Sequence, residues 1–493
     1  GVPLVVLTAD RPPELLARGA NQTIDQAHLF GRWVRESLDL GLPDPDLRAW
    51  DGLPRTAARI VQASLLPDPG PVHLNARFRK PLQPTESDSQ EIATFRSRAQ
   101  ASLAADLPLP KRPNPVPRPA DLDALAGRAR RARRGVLLAG PIAPRDAVSA
   151  AVVVRFLERS GFVLAPEATS QLRFGGGAPR RMMLDAFEPL LGIGRGDRML
   201  DPDFVLQIGG APTGRGLGAW LASDSAPERV VVASRGYPEA FNRAADVWIT
   251  DPALVLDGLA ERLDGIAPEA DWSSRASAAS ERVWRHLEEM VASKGGFPEP
   301  AAVRAVLEAL PSGGLLALGN SLPVREVDLF CPASERSIAV LSQRGASGID
   351  GAISAAAGAV GASRFPGVLL TGDVGFQHDV GGLAAARELS APLAIVVLCN
   401  GGGRLFDLLP VREHLSGEPA VFSRFFHTPP ALSPVAAAGA FGVRGVSVES
   451  TDQLSDSIAE AHAGSGATVI EARLDGSPSS EWVRELSEYV ARG

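Results

Sequence analysis

Residues 369–403, LLTGDVGFQHDVGGLAAARELSAPLAIVVLCNGGG, hold the residue types best suited to chemistry in this chain. An apolar strand, Val368 to Leu370, runs into Gly372-Asp373. A helix follows, and then a second apolar strand ends at Asn400-Gly401-Gly402-Gly403. Asp373 and Asn400 stand 27 positions apart, each just past the end of an expected parallel strand. Ligands of open α/β sheets collect at that edge. A carboxylate, an amide oxygen and a backbone carbonyl are the hard oxygen donors that Mg²⁺ accepts, with phosphate oxygens completing its octahedron. Helix N-termini at the same edge favour anions. The segment therefore reads as a Mg-diphosphate cradle, against the simpler reading of a βαβ crossover with turn residues at both strand ends.

Two further segments carry polar groups with a chemical use. In SQRGASGIDGAISAAAG, residues 342–358, Arg344 heads a Gly- and Ala-rich helix and sits where an anion would dock. Gly and Ala at such spacing permit close backbone approach. In LGNSLPVREVD, residues 318–328, Ser321 and Arg325 fall four apart, which on a helix puts them on one face. After the cradle comes Arg404-Leu405-Phe406-Asp407-Leu408-Leu409-Pro410, whose apolar members suit either core or the organic part of a cofactor.

The elements that position these groups are α/β throughout. A chain of 493 residues suits two or three domains with sizeable cores. Hydrophobic content is 45% and charged content 22%, which is ordinary for a globular protein. Net charge is −7, so no basic field points to nucleic acid or an anionic membrane. No apolar run approaches the roughly 18 to 20 residues that span a bilayer, so no membrane insertion is expected. Cys331 and Cys399, both at strand-like positions, form no disulfide framework, and a reducing cytoplasm fits. Only three lysines accompany 47 arginines. Schiff-base chemistry, which needs a lysine, is thereby disfavoured, while carboxylate substrates suit arginine's fork.

Strands are expected at Val2 to Leu7, Pro71 to Asn75, Gly135 to Ala139, Phe204 to Ile208, Arg229 to Ala233, Leu315 to Leu318, Leu393 to Leu398 and Thr468 to Ala472, with a helix near Ala147 to Arg159. Such alternation implies parallel sheets covered on both faces. Six prolines between Pro108 and Pro119 suggest an extended linker. The expected organisation is 1–105, a linker over 106–120, a middle α/β domain with a trailing helix over 121–295, and a diphosphate- and Mg-binding domain over 296–493. The basic run from Arg128 to Arg134 reads as a solvated helix end before a strand, not a nucleic-acid patch. The chain opens GVPLVVLTADRP, an apolar strand with no initiator Met and no cap, and this looks like a start in mid-domain.

Taken together, LTADRPPELLARGANQTIDQ (7–26), GPVHLNARFRKPLQP (70–84), LGNSLPVREVD, QRGASGIDG, LTGDVGFQHDVGGL and NGGGRLFDLLP resemble MenD, the 2-succinyl-5-enolpyruvyl-6-hydroxy-3-cyclohexene-1-carboxylate synthases of menaquinone biosynthesis. The middle region offers only PTGRGLGAW (212–220) as a match. The resemblance implies three doubly wound parallel-sheet domains of the thiamine diphosphate enzyme type, the first incomplete. It implies a transferase that decarboxylates 2-oxoglutarate on thiamine diphosphate and adds the succinyl carbanion to isochorismate. It further implies Mg²⁺, with Mn²⁺ as the alternative, and a homodimer or homotetramer that shares cofactor sites between subunits.

Carried over by motif, the metal ligands are Asp373, Asn400 and the carbonyl of Gly402. Gly372, Asp373, Ser347, Leu405, Phe406 and Leu409 would meet the cofactor, Leu405 beneath the thiamine. Gln22, Ser321, Arg325, Arg344, Arg11 and Arg215 would meet substrate carboxylates or hydroxyls. Cys399 and Gly401 replace asparagines usual in the family, Arg215-Gly216 replaces two adjacent basic residues, and Pro430 stands where histidine is common. About 95 family residues precede the LTADRPPEL motif, among them the glutamate that activates the cofactor's pyrimidine, a kind of role that contributes about 10²- to 10⁴-fold in rate. No residue here takes that role, so no catalytic acid or base is assigned and the chain as it stands is expected to be poorly active or inactive. Two alternatives remain. One is another thiamine diphosphate-dependent 2-oxo acid decarboxylase or carboligase, such as an acetolactate-synthase relative, and the other is a non-catalytic remnant that binds the cofactor without turnover.

Overall fold

The fold is known from a computed structural model, which describes residues 1–493 except 45, 84–88, 107–114, 176, 194–199, 264–268, 270 and 493. Most of the proline-rich segment lies outside the described residues. Contacts divide the chain into two compact units, Gly1–Asn114 and Pro115–Gly493.

The first unit is built on a three-stranded parallel sheet, β1 (Leu4–Asp10), β2 (Ser37–Asp39) and β3 (Pro71–Arg77), ordered β1-β3-β2. Helix Leu47–Leu65 packs on it and starts at Asp46, whose side chain accepts from Arg48 N. β3 buries Val72, His73 and Asn75. β1, equally apolar in sequence, leaves Leu4 55% and Leu7 68% exposed.

The second unit carries two parallel sheets. The first has β4 (Gly135–Ala139), β5 (Val163–Pro166), β6 (Phe204–Ile208), β7 (Glu228–Ala233) and β8 (Asp246–Ile249), ordered β5-β4-β6-β7-β8. The second has β9 (Leu315–Leu318), β10 (Ala339–Ser342), β11 (Gly367–Gly372), β12 (Leu393–Cys399), β13 (Arg444–Val448) and β14 (Ala467–Arg473), ordered β10-β9-β11-β12-β14-β13. Buried on both faces, these strands read as continuous Val/Leu/Ile runs. Alternation sorts their side chains: Leu316, Val368, Leu370 and Val396 pack with helices Glu299–Ala309 and Thr451–Ala463. Leu315, Leu369, Ile395 and Val397 pack with helix Ala352–Ser363 on the other face.

In the last sheet the chain order reverses between β9 and β11, which opens a crevice at their C-terminal ends. There Gly319 N donates to Leu370 O at 2.8 Å. Helix Trp272–Lys294, the expected trailing helix, buries Trp272, Val283, Trp284 and Leu287 against Trp482 and Leu486. Among the described residues no helix is long and apolar enough to cross a membrane.

Strands rich in β-branched or Leu residues match expectation to within a few positions. The short β2, β5, β8, β10 and β13 were not foreseen, because three to five residues give too little periodicity to distinguish them from loop. Cys331 closes helix Pro323–Phe330 instead of lying in a strand, and only Cys399 is in one. Both are free thiols. The basic run does end a helix, Pro119–Arg131, and Arg128 pairs with Glu228 and Asp246.

Candidate active site

β11 and β12 are adjacent and in parallel register, with Gly372 opposite Leu398. Asp373 begins a helix directly after β11, and Asn400 follows β12, so both reach the same sheet edge. The buried Asp373 carboxylate is held by main-chain donors. Its Oδ1 accepts from Val374 N at 2.8 Å, and its Oδ2 from Gly402 N at 2.9 Å and Gly401 N at 3.1 Å. Burial nevertheless raises its pKa above the ordinary range, so a cation at this oxygen set would relieve an uncompensated charge.

Gly402 has φ +110°, and a Cβ there would overlap the His427 carbonyl oxygen, so glycine is required. Its own carbonyl accepts from Arg404 N at 2.8 Å and keeps a second lone pair. Asn400 donates through Nδ2 to Glu299 Oε1, while its Oδ1 is buried with no hydrogen-bond partner. That orphan acceptor beside a carboxylate and a carbonyl fits Mg²⁺ chemistry. Among the described residues no cluster of three His, Cys, Asp or Glu could hold a metal. An ion here would depend on amide, carbonyl and phosphate oxygens beside the one carboxylate.

A second group converges on the same space. Arg325 lies in helix Pro323–Phe330, and its Nη1 donates to the Ser321 carbonyl at 2.5 Å. Ser321 precedes that helix with φ +73°, so the four-residue spacing does not make a shared helical face. Arg344 follows β10 instead of heading helix Ala352–Ser363, and its Nη1 donates to Asn320 Oδ1 at 2.6 Å. Asn320 Nδ2 is fixed in turn by the carbonyls of Gln343 at 3.0 Å and Gly348 at 2.6 Å.

Burial lowers the pKa of both guanidiniums, and Arg344 lowers that of Arg325 further. Neither forms an ion pair with a described carboxylate within 4 Å. Behind them lie three buried acids. Burial pushes Glu188 up to about 7 and Asp328 up to about 6, and raises Glu167 well above its ordinary value. Glu167 attracts both arginines, and Glu188 attracts Arg325.

The cradle and the two arginines line one cavity of about 350 Å³, within the range of small-molecule sites. It brings together Ser321, Arg325, Arg344, Ser347, Gly372, Asp373, Asn400, Gly402, Leu405 and Phe406. Phe406 meets Phe426 edge-on at 5.5 Å. Leu409 does not line it. Arg215 lines a cavity of about 300 Å³ that also touches Arg325, Glu188 and Leu408. Gln22 and Arg11 belong to the first unit, where Arg11 Nη2 donates to Asn21 O at 3.1 Å and Gln22 adopts φ +56°. Sequence reasoning missed Glu299, Glu326, Asn320 and Phe426, which also line the main cavity. Asn320 alone had a signal, in its place beside Ser321 at a strand end.

Residues 333–472 match the family described as thiamine pyrophosphate enzyme, C-terminal TPP binding domain. Across nearly its whole length the chain is similar to proteins named 2-succinyl-5-enolpyruvyl-6-hydroxy-3-cyclohexene-1-carboxylate synthase. The one from Sorangium cellulosum is 38% identical over 501 residues, covering 99% of this chain and 81% of the relative. That from Haloarcula marismortui is 34% identical, covering 100% and 83%. That from Geobacillus kaustophilus is 34% identical, covering 100% and 82%.

Proposed function

Because this chain belongs to the 2-succinyl-5-enolpyruvyl-6-hydroxy-3-cyclohexene-1-carboxylate synthase family, we propose that it joins 2-oxoglutarate, after loss of CO₂, to isochorismate in menaquinone biosynthesis. It is a transferase-type enzyme of the thiamine diphosphate class. The observation that carries the substrate reading is the pair of half-buried arginines, Arg325 and Arg344, with no described carboxylate paired to either, beside the cradle. Both substrates are dicarboxylates, and a guanidinium fork binds and orients a carboxylate.

Asp373, Asn400 and the Gly402 carbonyl would hold Mg²⁺, or Mn²⁺ in its place, against the diphosphate. Leu405 and Phe406 give the cavity its apolar lining and support the organic half of the cofactor. Thiamine diphosphate, when bound, supplies the decarboxylating and carbon–carbon bond-forming chemistry. The side chains derived above bind, orient and neutralise. Ser321 and Arg215 would add substrate contacts, as would Gln22 and Arg11 of the first unit. Assembly as a homodimer or homotetramer and a cytoplasmic location belong to the same proposal.

The test is consumption of isochorismate with release of CO₂ from 2-oxoglutarate, in the presence of thiamine diphosphate and Mg²⁺. Turnover of pyruvate with isochorismate untouched would favour a different carboligase. A melting temperature raised by cofactor and Mg²⁺ with neither oxo acid consumed would favour a binding protein without turnover.

A further inference from the structure

A chain of buried polar groups runs behind the cradle, from Asn400 to helix Pro323–Phe330. Asn400 Nδ2 donates to Oε1 of Glu299, the first residue of helix Glu299–Ala309. Glu299 Oε2 accepts from the Oγ and, at 3.2 Å, the main-chain N of Ser479, the first residue of helix Ser479–Arg492. Ser479 Oγ also lies 2.6 Å from Glu326 Oε1, and Glu326 directly follows Arg325. Glu299, Ser479 and Glu326 are each at most 3% exposed.

The hydrogens can be counted. Ser479 has one hydroxyl hydrogen and touches two carboxyl groups, so one of those contacts needs a proton on a carboxyl. Glu326 Oε2 has no hydrogen-bond partner. Glu299 has an oxygen facing Asn400 and another facing two Ser479 donors. Hydrogens therefore face both Glu299 oxygens, and both act as acceptors.

An Asn amide has a donor end and an acceptor end of nearly equal size, and only its neighbours decide which points where. The Glu299 Oε1 that faces Asn400 accepts its N–H end. The Oδ1 end is thereby turned away from Glu299 and stays buried without a partner. We propose that Glu299 is a positioning residue for the metal: by accepting the Asn400 amide hydrogen it presets Oδ1 as a ligand before the ion arrives. This rests on the assignment of Asn400 as a metal ligand. Acceptors behind a first ligand fix its orientation and raise its basicity, and losing one costs about 10- to 100-fold in metal affinity.

The experiment reads the Mn²⁺ concentration at half-saturation, by the loss of free-ion resonance signal, with thiamine diphosphate present. Glu299→Met fills a similar volume without an acceptor and is expected to raise that midpoint about 10- to 100-fold. Glu299→Asp keeps both acceptor oxygens, set back by one methylene, and is expected to shift the midpoint less than Glu299→Met does. A purely structural role for Glu299 would shift melting temperatures without separating these two midpoints. Should Glu299→Met not fold, Ser479→Ala removes the hydroxyl that pins Glu299 and is expected to raise the midpoint at least about threefold.

Asp373→Ala separates the two levels of the argument. If it abolishes saturable binding while Glu299→Met, or Ser479→Ala in its place, leaves the midpoint unchanged, the positioning role is overturned and the metal assignment stands. If Asp373→Ala itself leaves the midpoint unchanged, the metal assignment falls.

Discussion

On the cradle side of the main cavity, Asp373 is held by three main-chain N–H groups, and its place follows from where β11 stops. On the arginine side, Arg325 and Arg344 are held by one carbonyl and one side-chain amide, over the buried acids Glu167, Glu188 and Asp328. Backbone donors cannot be removed by substituting a neighbour, so the cradle depends on strand ends and on Gly402. The arginines lean on Ser321 and Asn320 and on the attraction of Glu167 and Glu188 from a distant segment. One side is thus a product of local chain geometry and the other of long-range electrostatics.

The comparison breaks most visibly at Asp373. Asp373→Ala is expected to abolish Mg²⁺-dependent thiamine diphosphate binding, read by calorimetry with and without the metal. Binding retained at full strength would mean that the cradle does not use this oxygen.

Next in size is Arg325→Ala. It is expected to weaken 2-oxoglutarate binding by about 2–5 kcal/mol, the cost of leaving a desolvated charged partner unpaired, with thiamine diphosphate affinity nearly unchanged. Equal losses of both ligands would show that the two sides act as one unit.

The smallest effect concerns the acids. Glu188, held at about 7 by burial, accepts from Gly216 N at 2.8 Å and Leu217 N at 3.0 Å. Its folded value lies above the ordinary 4.5, so its contribution to stability is complete below pH 4.5 and is lost as pH rises through 7. Glu188→Gln should flatten the fall in unfolding free energy across that window by at most about 3 kcal/mol, read by denaturant unfolding at a series of pH values. An unchanged slope would remove Glu188 from the arginine-side electrostatics.

β1 and β11 give a further contrast. Each reads in sequence as an apolar parallel strand ending in a polar turn. Yet β11 is buried through Thr371, while β1 leaves Leu4 and Leu7 more than half exposed. Strand propensity is legible locally, whereas burial depends on what packs against each face.

The sequence by itself placed the polar groups of the cradle at one sheet edge. A strand that ends in Gly-Asp and another that ends in Asn-Gly-Gly must place their oxygens at one sheet edge, because parallel register aligns their C-terminal ends. It determined the family as well, through motifs spread along the chain. Only the tertiary structure decided how those groups are held. Glu299 meets Asn400 across 101 positions and Ser479 across 180, and no local pattern marks it. Ser321 and Arg325 share no helical face, because a left-handed residue precedes the helix that carries the arginine. The pairing of a buried amide with a buried carboxylate is set by desolvation and by which hydrogen has an acceptor, and both exist only once the helices have packed.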